Sequence, residues 1–100
     1  TPEQALVREF REETELAGEP VGQIAVVRYG YTRYRVTMHG FFCRPAPGQN
    51  AEAFRLHEAT EGRFARLEEL SALAFPSGHA RLLALTRADL RLAALLAPGA

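Results

Sequence analysis

Lysine is absent from this 100-residue chain, cysteine occurs once, and no apolar run comes near the roughly 18 to 20 residues that a membrane-crossing helix requires. Each shortage removes a class of answers. The lone Cys43 closes no internal disulfide and has no metal-ligand spacing around it, so it reads as a small apolar strand residue. The opening Thr1-Pro2-Glu3-Gln4 lacks the basic and then greasy character of an export signal, which with the missing apolar run points to a cytoplasmic chain without a membrane partner. A formal net charge of zero sets aside nonspecific attraction to DNA as the dominant behaviour of this segment alone. Every basic side chain apart from histidine is arginine, as genome composition would produce and as bidentate phosphate contacts would also favour. Internal repeats and low-complexity tracts are missing as well.

What is present suits one globular domain with a single modest core, because 47% of the residues are apolar. The charge is unevenly placed. Glu3, Glu9, Glu12, Glu13, Glu15 and Glu19 crowd the first segment, whereas Arg28, Arg33, Arg35 and Arg44 lie in a middle segment that contains no acid.

Thr1, Pro2 and Gln4 form the pattern of a capping box with proline at the first helical position, so a helix should begin there. Leu6, Phe10 and Ala17 fall on one stripe, and Gly18 with Pro20 beyond it supplies a stop after about four turns. From Val21 to Tyr29 the residues read as a strand buried on both faces. Tyr34 to Arg44 is a second strand, with Tyr34, Val36, Met38, Gly40 and Phe42 alternating against Arg35, Thr37, His39, Phe41 and Cys43. Gly30-Tyr31-Thr32-Arg33 joins them as a hairpin loop in which Gly30 is free to take a positive φ. Pro45 to Asn50 is a surface loop. A short strand at Glu61–Ala65 centred on Phe64, a short helix at Leu67–Leu73, a helix capped by Ser77 and running through Leu85, and a tail helix with Leu90, Leu92, Leu95 and Leu96, capped within Thr86–Asp89, complete the expectation.

Glu9, Glu12 and Glu13 stand at i, i+3 and i+4, which places their carboxylates on one patch of helix surface. Such a patch suits magnesium or manganese and the pyrophosphate of a nucleotide. On spacing alone a solvated face is favoured: Arg8 with Glu12 and Arg11 with Glu15 are i,i+4 pairs, each contributing ~0.3 kcal/mol.

The string Arg8-Glu9-Phe10-Arg11-Glu12-Glu13-Thr14-Glu15-Leu16 resembles the core of the Nudix box, Arg-Glu-apolar-x-Glu-Glu-x-Gly-apolar. The resemblance implies that Glu9, Glu12 and Glu13 hold a metal, that Arg8 orients a carboxylate, and that residues 1–100 are a single, partial domain whose first strands would lie before Thr1. The implied fold class is α/β, a Nudix-like α/β/α sandwich with a mixed sheet. Glu15 departs from the family's glycine. It must adopt a left-handed conformation at about 1 kcal/mol or move the helix exit to Gly18, which puts hydrolysis in doubt.

Two further stretches are similar to the carboxy-terminal domain of the adenine DNA glycosylases of the MutY family. Val27 to Phe41 resembles the family's His-x-Phe-Ser/Thr-His loop and the long strand after it, and Phe75-Pro76-Ser77-Gly78-His79-Ala80-Arg81-Leu82-Leu83 resembles its closing Phe-Pro-x-x-His-x-x-apolar-apolar. This resemblance implies recognition of 8-oxoguanine opposite adenine in double-stranded DNA during base excision repair. Thr32 would reach the lesion, Tyr31 would help place it, and Arg33 and Arg35 would hold phosphates. Tyr29 and Arg33 stand where the family has histidines, so recognition is retuned or Arg33 is a solvated hairpin residue. The catalytic acid and the iron–sulfur cluster would belong to a covalently linked helical glycosylase domain, since one cysteine cannot replace four. The rival reading is a Nudix hydrolase that uses Arg8, Glu9, Glu12 and Glu13 with Mg2+ on a small nucleotide, a nucleoside diphosphate derivative. A third is a degenerate fold that only mediates protein contacts. For His79 a helix-terminal hydrogen bond is favoured over catalysis; His39 on its strand and His57 in a loop have no catalytic partner in sight.

Overall fold

Thr1 opens the first helix as its spacing requires: its hydroxyl accepts from the Gln4 amide while the Gln4 side chain returns to the Thr1 amine, at 3.2 and 3.1 Å. The computed structural model describes residues 1–57 and 62–96. In chain order these residues form α1 (Pro2–Thr14), β1 (Gly18–Tyr31), β2 (Tyr34–Pro45), a 3-10 turn (Ala51–Ala53), a 3-10 helix (Leu67–Ala72), α2 (Ser77–Ala88) and α3 (Arg91–Leu96). Among the described residues the sheet is the two-stranded pair β1–β2, and the Thr32-Arg33 connection makes it an antiparallel hairpin. No helix among them is long and apolar enough to cross a membrane.

The chain divides into two compact units, Thr1–Gly22 with Phe41–Leu73 and Gln23–Gly40 with Ala74–Ala100. In the first, the Phe10 ring lies so close over Gly18 that a Cβ there would sit 3.3 Å from it. The foot of the hairpin is tied by the Ala46 amide to the Ala17 carbonyl and by the Arg44 guanidinium to the Glu19 carboxylate, both at 3.0 Å. Leu16 is the buried apolar side chain of this unit. Beside it Phe10, Leu16, Phe54, Leu56 and Phe64 line a cavity of about 320 Å³. Cys43 is a strand residue, as expected, exposed at the edge of this cavity, and partial burial pushes its thiol above the ordinary value.

In the second unit Val27 is buried at 1% exposure. A Cβ built on Gly40 would fall inside the Leu82 side chain, so α2 approaches the strand only because that position is bare. Asp89 caps α3 by accepting from the Arg91 amide at 2.9 Å. The Arg91 guanidinium bonds the same carboxylate and also the Gln23 carbonyl at 2.6 Å.

Several expectations need correction. The strand centred on Phe64 does not form: Glu61 lies outside the described residues, residues 62–66 have no regular structure, and Phe64 instead meets Phe54 edge to face at 5.8 Å. α1 stops at Thr14, well before Gly18, because Glu15 itself takes the left-handed conformation that ends a helix. Ser77 is the first residue of α2 rather than its cap; Pro76 holds the cap position, and its carbonyl closes the first turn by accepting from the Ala80 amide. Leu90 precedes α3 and is 95% exposed.

Candidate functional site

α1 presents Glu9, Glu12 and Glu13 as exposed residues on one face. Arg8 lies 3.9 Å from Glu9, its neighbour in sequence, and among the described residues the expected Arg8–Glu12 and Arg11–Glu15 pairs are not formed. The second fails because Glu15 has left the helix. Carboxylates are the hard oxygen donors that magnesium prefers, and magnesium keeps several waters when one or two of them bind it, so the chemistry of this donor set fits that ion. Among the described residues, His, Cys, Asp and Glu side chains do not gather in threes at metal-holding distance.

Glu15 takes the left-handed conformation itself, at φ 62° and ψ 13°. Its amide donates to the Arg11 carbonyl at 2.8 Å, as a terminating glycine's would, and its carboxylate meets His57 Nε2 at 2.7 Å. Segment 55–57 completes the closure, because the Arg55 and His57 amides donate to the Thr14 and Glu13 carbonyls at 2.9 and 3.2 Å. These bonds satisfy helix-end acceptors that would otherwise be left open. His57, which the loop gave no role, is therefore part of the helix terminus.

The hairpin tip is arranged differently. The positive φ falls at Thr32, at 53°, and not at Gly30. Thr32 is the first of two connecting residues, the position where type II′ turns demand positive φ and where glycine ordinarily sits. A β-branched residue there is an outlier. Its side chain is exposed and makes no hydrogen bond among the described residues. Thr32, Arg33, Tyr34, Arg35 and Arg28 line an open groove of about 660 Å³. No acid lies between Glu19 and Glu52, so these guanidinium groups have no carboxylate neighbour along the hairpin. Tyr31 is 66% exposed but does not line that groove.

Two contacts that sequence reasoning missed support the tip. The Tyr29 ring rests on the bare backbone of Gly78, where a Cβ would overlap it. Arg81 donates to the Arg28 carbonyl at 2.9 Å. Neither contact leaves a signal in spacing or period, because each joins residues far apart in the chain. His79 is exposed on the first turn of α2, without the expected hydrogen bond among the described residues, and His39 lies 3.5 Å from the Gln23 side chain.

The family model described as the NUDIX domain matches residues 1–86, which include α1, the hairpin and most of α2. No curated protein matches the chain.

Proposed function

The chain belongs to the NUDIX domain family over residues 1–86, and from that premise we propose that its hairpin tip reads an oxidised guanine in DNA, as the selectivity module of an adenine DNA glycosylase built on a Nudix-like α/β/α sandwich with a mixed sheet. The observation that carries this reading is Thr32: a strained, exposed hydroxyl at a turn where glycine would be relaxed, in a groove flanked by arginines. Oxidation at C8 turns N7 of guanine from an acceptor into a donor, and a hydroxyl can accept from it. Arg28, Arg33 and Arg35 hold the neighbouring phosphates, which position the duplex without reading sequence. Base removal would be the work of a linked helical domain.

The test is binding of the chain to duplexes holding 8-oxoguanine or guanine opposite adenine. Wild type favours the oxidised duplex, and Thr32→Ala lowers that preference by about tenfold, the scale of one base-edge hydrogen bond. An unchanged ratio in the variant would remove Thr32 from the site.

Family membership itself favours a second reading more directly, a hydrolase acting on a nucleoside diphosphate derivative. Glu9, Glu12 and Glu13 would hold magnesium, which when bound neutralises pyrophosphate charge. Arg8, 3.9 Å from Glu9, would orient that carboxylate. Magnesium-dependent phosphate or pyrophosphate release that disappears in Glu12→Gln, with no discrimination between the duplexes, would establish this reading over the first.

A further inference from the structure

The chain has 3 tyrosines, all within the hairpin, and the structure gives them different environments. The Tyr29 ring is engaged against Gly78. Tyr31 stands outside the groove. Tyr34, the first residue of β2, is 70% exposed, lines the groove beside Thr32, Arg33 and Arg35, and makes no ring contact among the described residues. A large ring held in water at the rim of an acid-free, arginine-lined groove offers a flat apolar face with cations placed for a phosphate chain.

We propose that Tyr34 is the stacking ring of this groove, holding a nucleobase of the DNA strand next to the base that Thr32 reads. The proposal rests on the DNA reading above and adds a second base-contacting residue to it. Charge complementarity selects the occupant: a groove lined by arginines and no carboxylate among the described residues suits a polyanion, and a stacking face accepts any base because every base has a π-face. Thr32 supplies discrimination between oxidised and normal guanine; Tyr34 supplies affinity for a strand with an unstacked base.

The experiment uses the 100-residue chain and a duplex with 2-aminopurine adjacent to 8-oxoguanine. Binding of wild type changes the 2-aminopurine emission as the base moves from its neighbours onto the phenol ring. Tyr34→Ala abolishes that change and weakens binding by about tenfold, the order expected for one base–aromatic stack. Tyr34→Phe keeps both, because the ring face is what acts. Identical affinity and emission change in wild type and Tyr34→Ala overturns the proposal; if Thr32→Ala still loses lesion preference in that case, the Thr32 reading survives alone. A wild-type chain that binds no duplex overturns both. Binding of free 8-oxo-dGMP without duplex binding, lost in Tyr34→Ala, overturns the DNA occupant and returns the ring to a nucleotide site.

Discussion

Among the described residues, two other than glycine adopt positive φ, Glu15 at 62° and Thr32 at 53°, and the chain treats them in opposite ways. Glu15 is braced: its amide is bonded to Arg11, its carboxylate to His57, and segment 55–57 closes the carbonyls before it. Thr32 has an exposed side chain without a hydrogen bond among the described residues. A left-handed residue costs about 1–2 kcal/mol; the contacts of Glu15 return part of that cost, and the Thr32 side chain returns none of it. Strain with local compensation ends a helix. Strain without it at an exposed tip asks for an external partner.

The largest expected effect comes from removing the platform under the tip. Gly78→Ala drives a methyl group into the Tyr29 ring and destabilises the chain by about 1–3 kcal/mol. Thermal unfolding reads the loss, and faster hydrogen exchange of tip amides locates it. If Tyr29 swings aside freely, stability is unchanged and the tip has no platform.

Next is the direct contrast between the strained residues. Thr32→Gly relieves about 1–2 kcal/mol of strain against about 0.5–1 kcal/mol of extra unfolded-state entropy, for a net gain of about 0.5–1 kcal/mol. The same change removes the hydroxyl, so lesion preference falls as stability rises. Glu15→Gly has the same backbone terms but loses a half-exposed pair with His57 worth about 0.2–1 kcal/mol, which brings the net close to zero. Chemical denaturation of both variants side by side measures the difference. Equal stabilisation would erase the distinction between braced and unbraced strain.

The smallest effect is read by pH, at the charged contact that opens α3. Hydrogen bonds from Arg91 hold the Asp89 carboxyl at about 2, below its ordinary 3.8. A depressed carboxylate contributes stability that is fully present above the ordinary value and is lost as the pH falls through the lower one. An NMR titration should therefore show Asp89 still ionised at pH 3, and wild type and Asp89→Asn should converge in stability as the pH approaches 2. Titration of Asp89 near 3.8 would mean that the Arg91 contact is not maintained in solution.

Much of this architecture was legible in the residues themselves. The capping box at Thr1, the carboxylate stripe at Glu9, Glu12 and Glu13, and both hairpin strands follow from local propensity and period, which depend on near neighbours only. The same local logic misplaced the positive φ at Gly30 and carried α1 toward Gly18. At the end of α1, contacts from segment 55–57 outweighed glycine's local preference; at the hairpin, the extension of β1 to Tyr31 put the turn at Thr32-Arg33, beyond Gly30. Phe64 likewise had strand chemistry but found Phe54 instead of a ladder partner.

Sequence alone therefore determined that α1 is helical and that β1 and β2 are extended, which faces hold acid or arginine, and that the chain resembles a nucleotide-handling family, because those properties are written in spacing and composition. Tertiary structure decided that His57 completes the end of α1, that Tyr29 lies on Gly78, and that Tyr34 rather than Tyr31 shares the groove with Thr32. Each of these joins residues distant in the chain or sorts near-identical neighbours by orientation, and no periodicity encodes either.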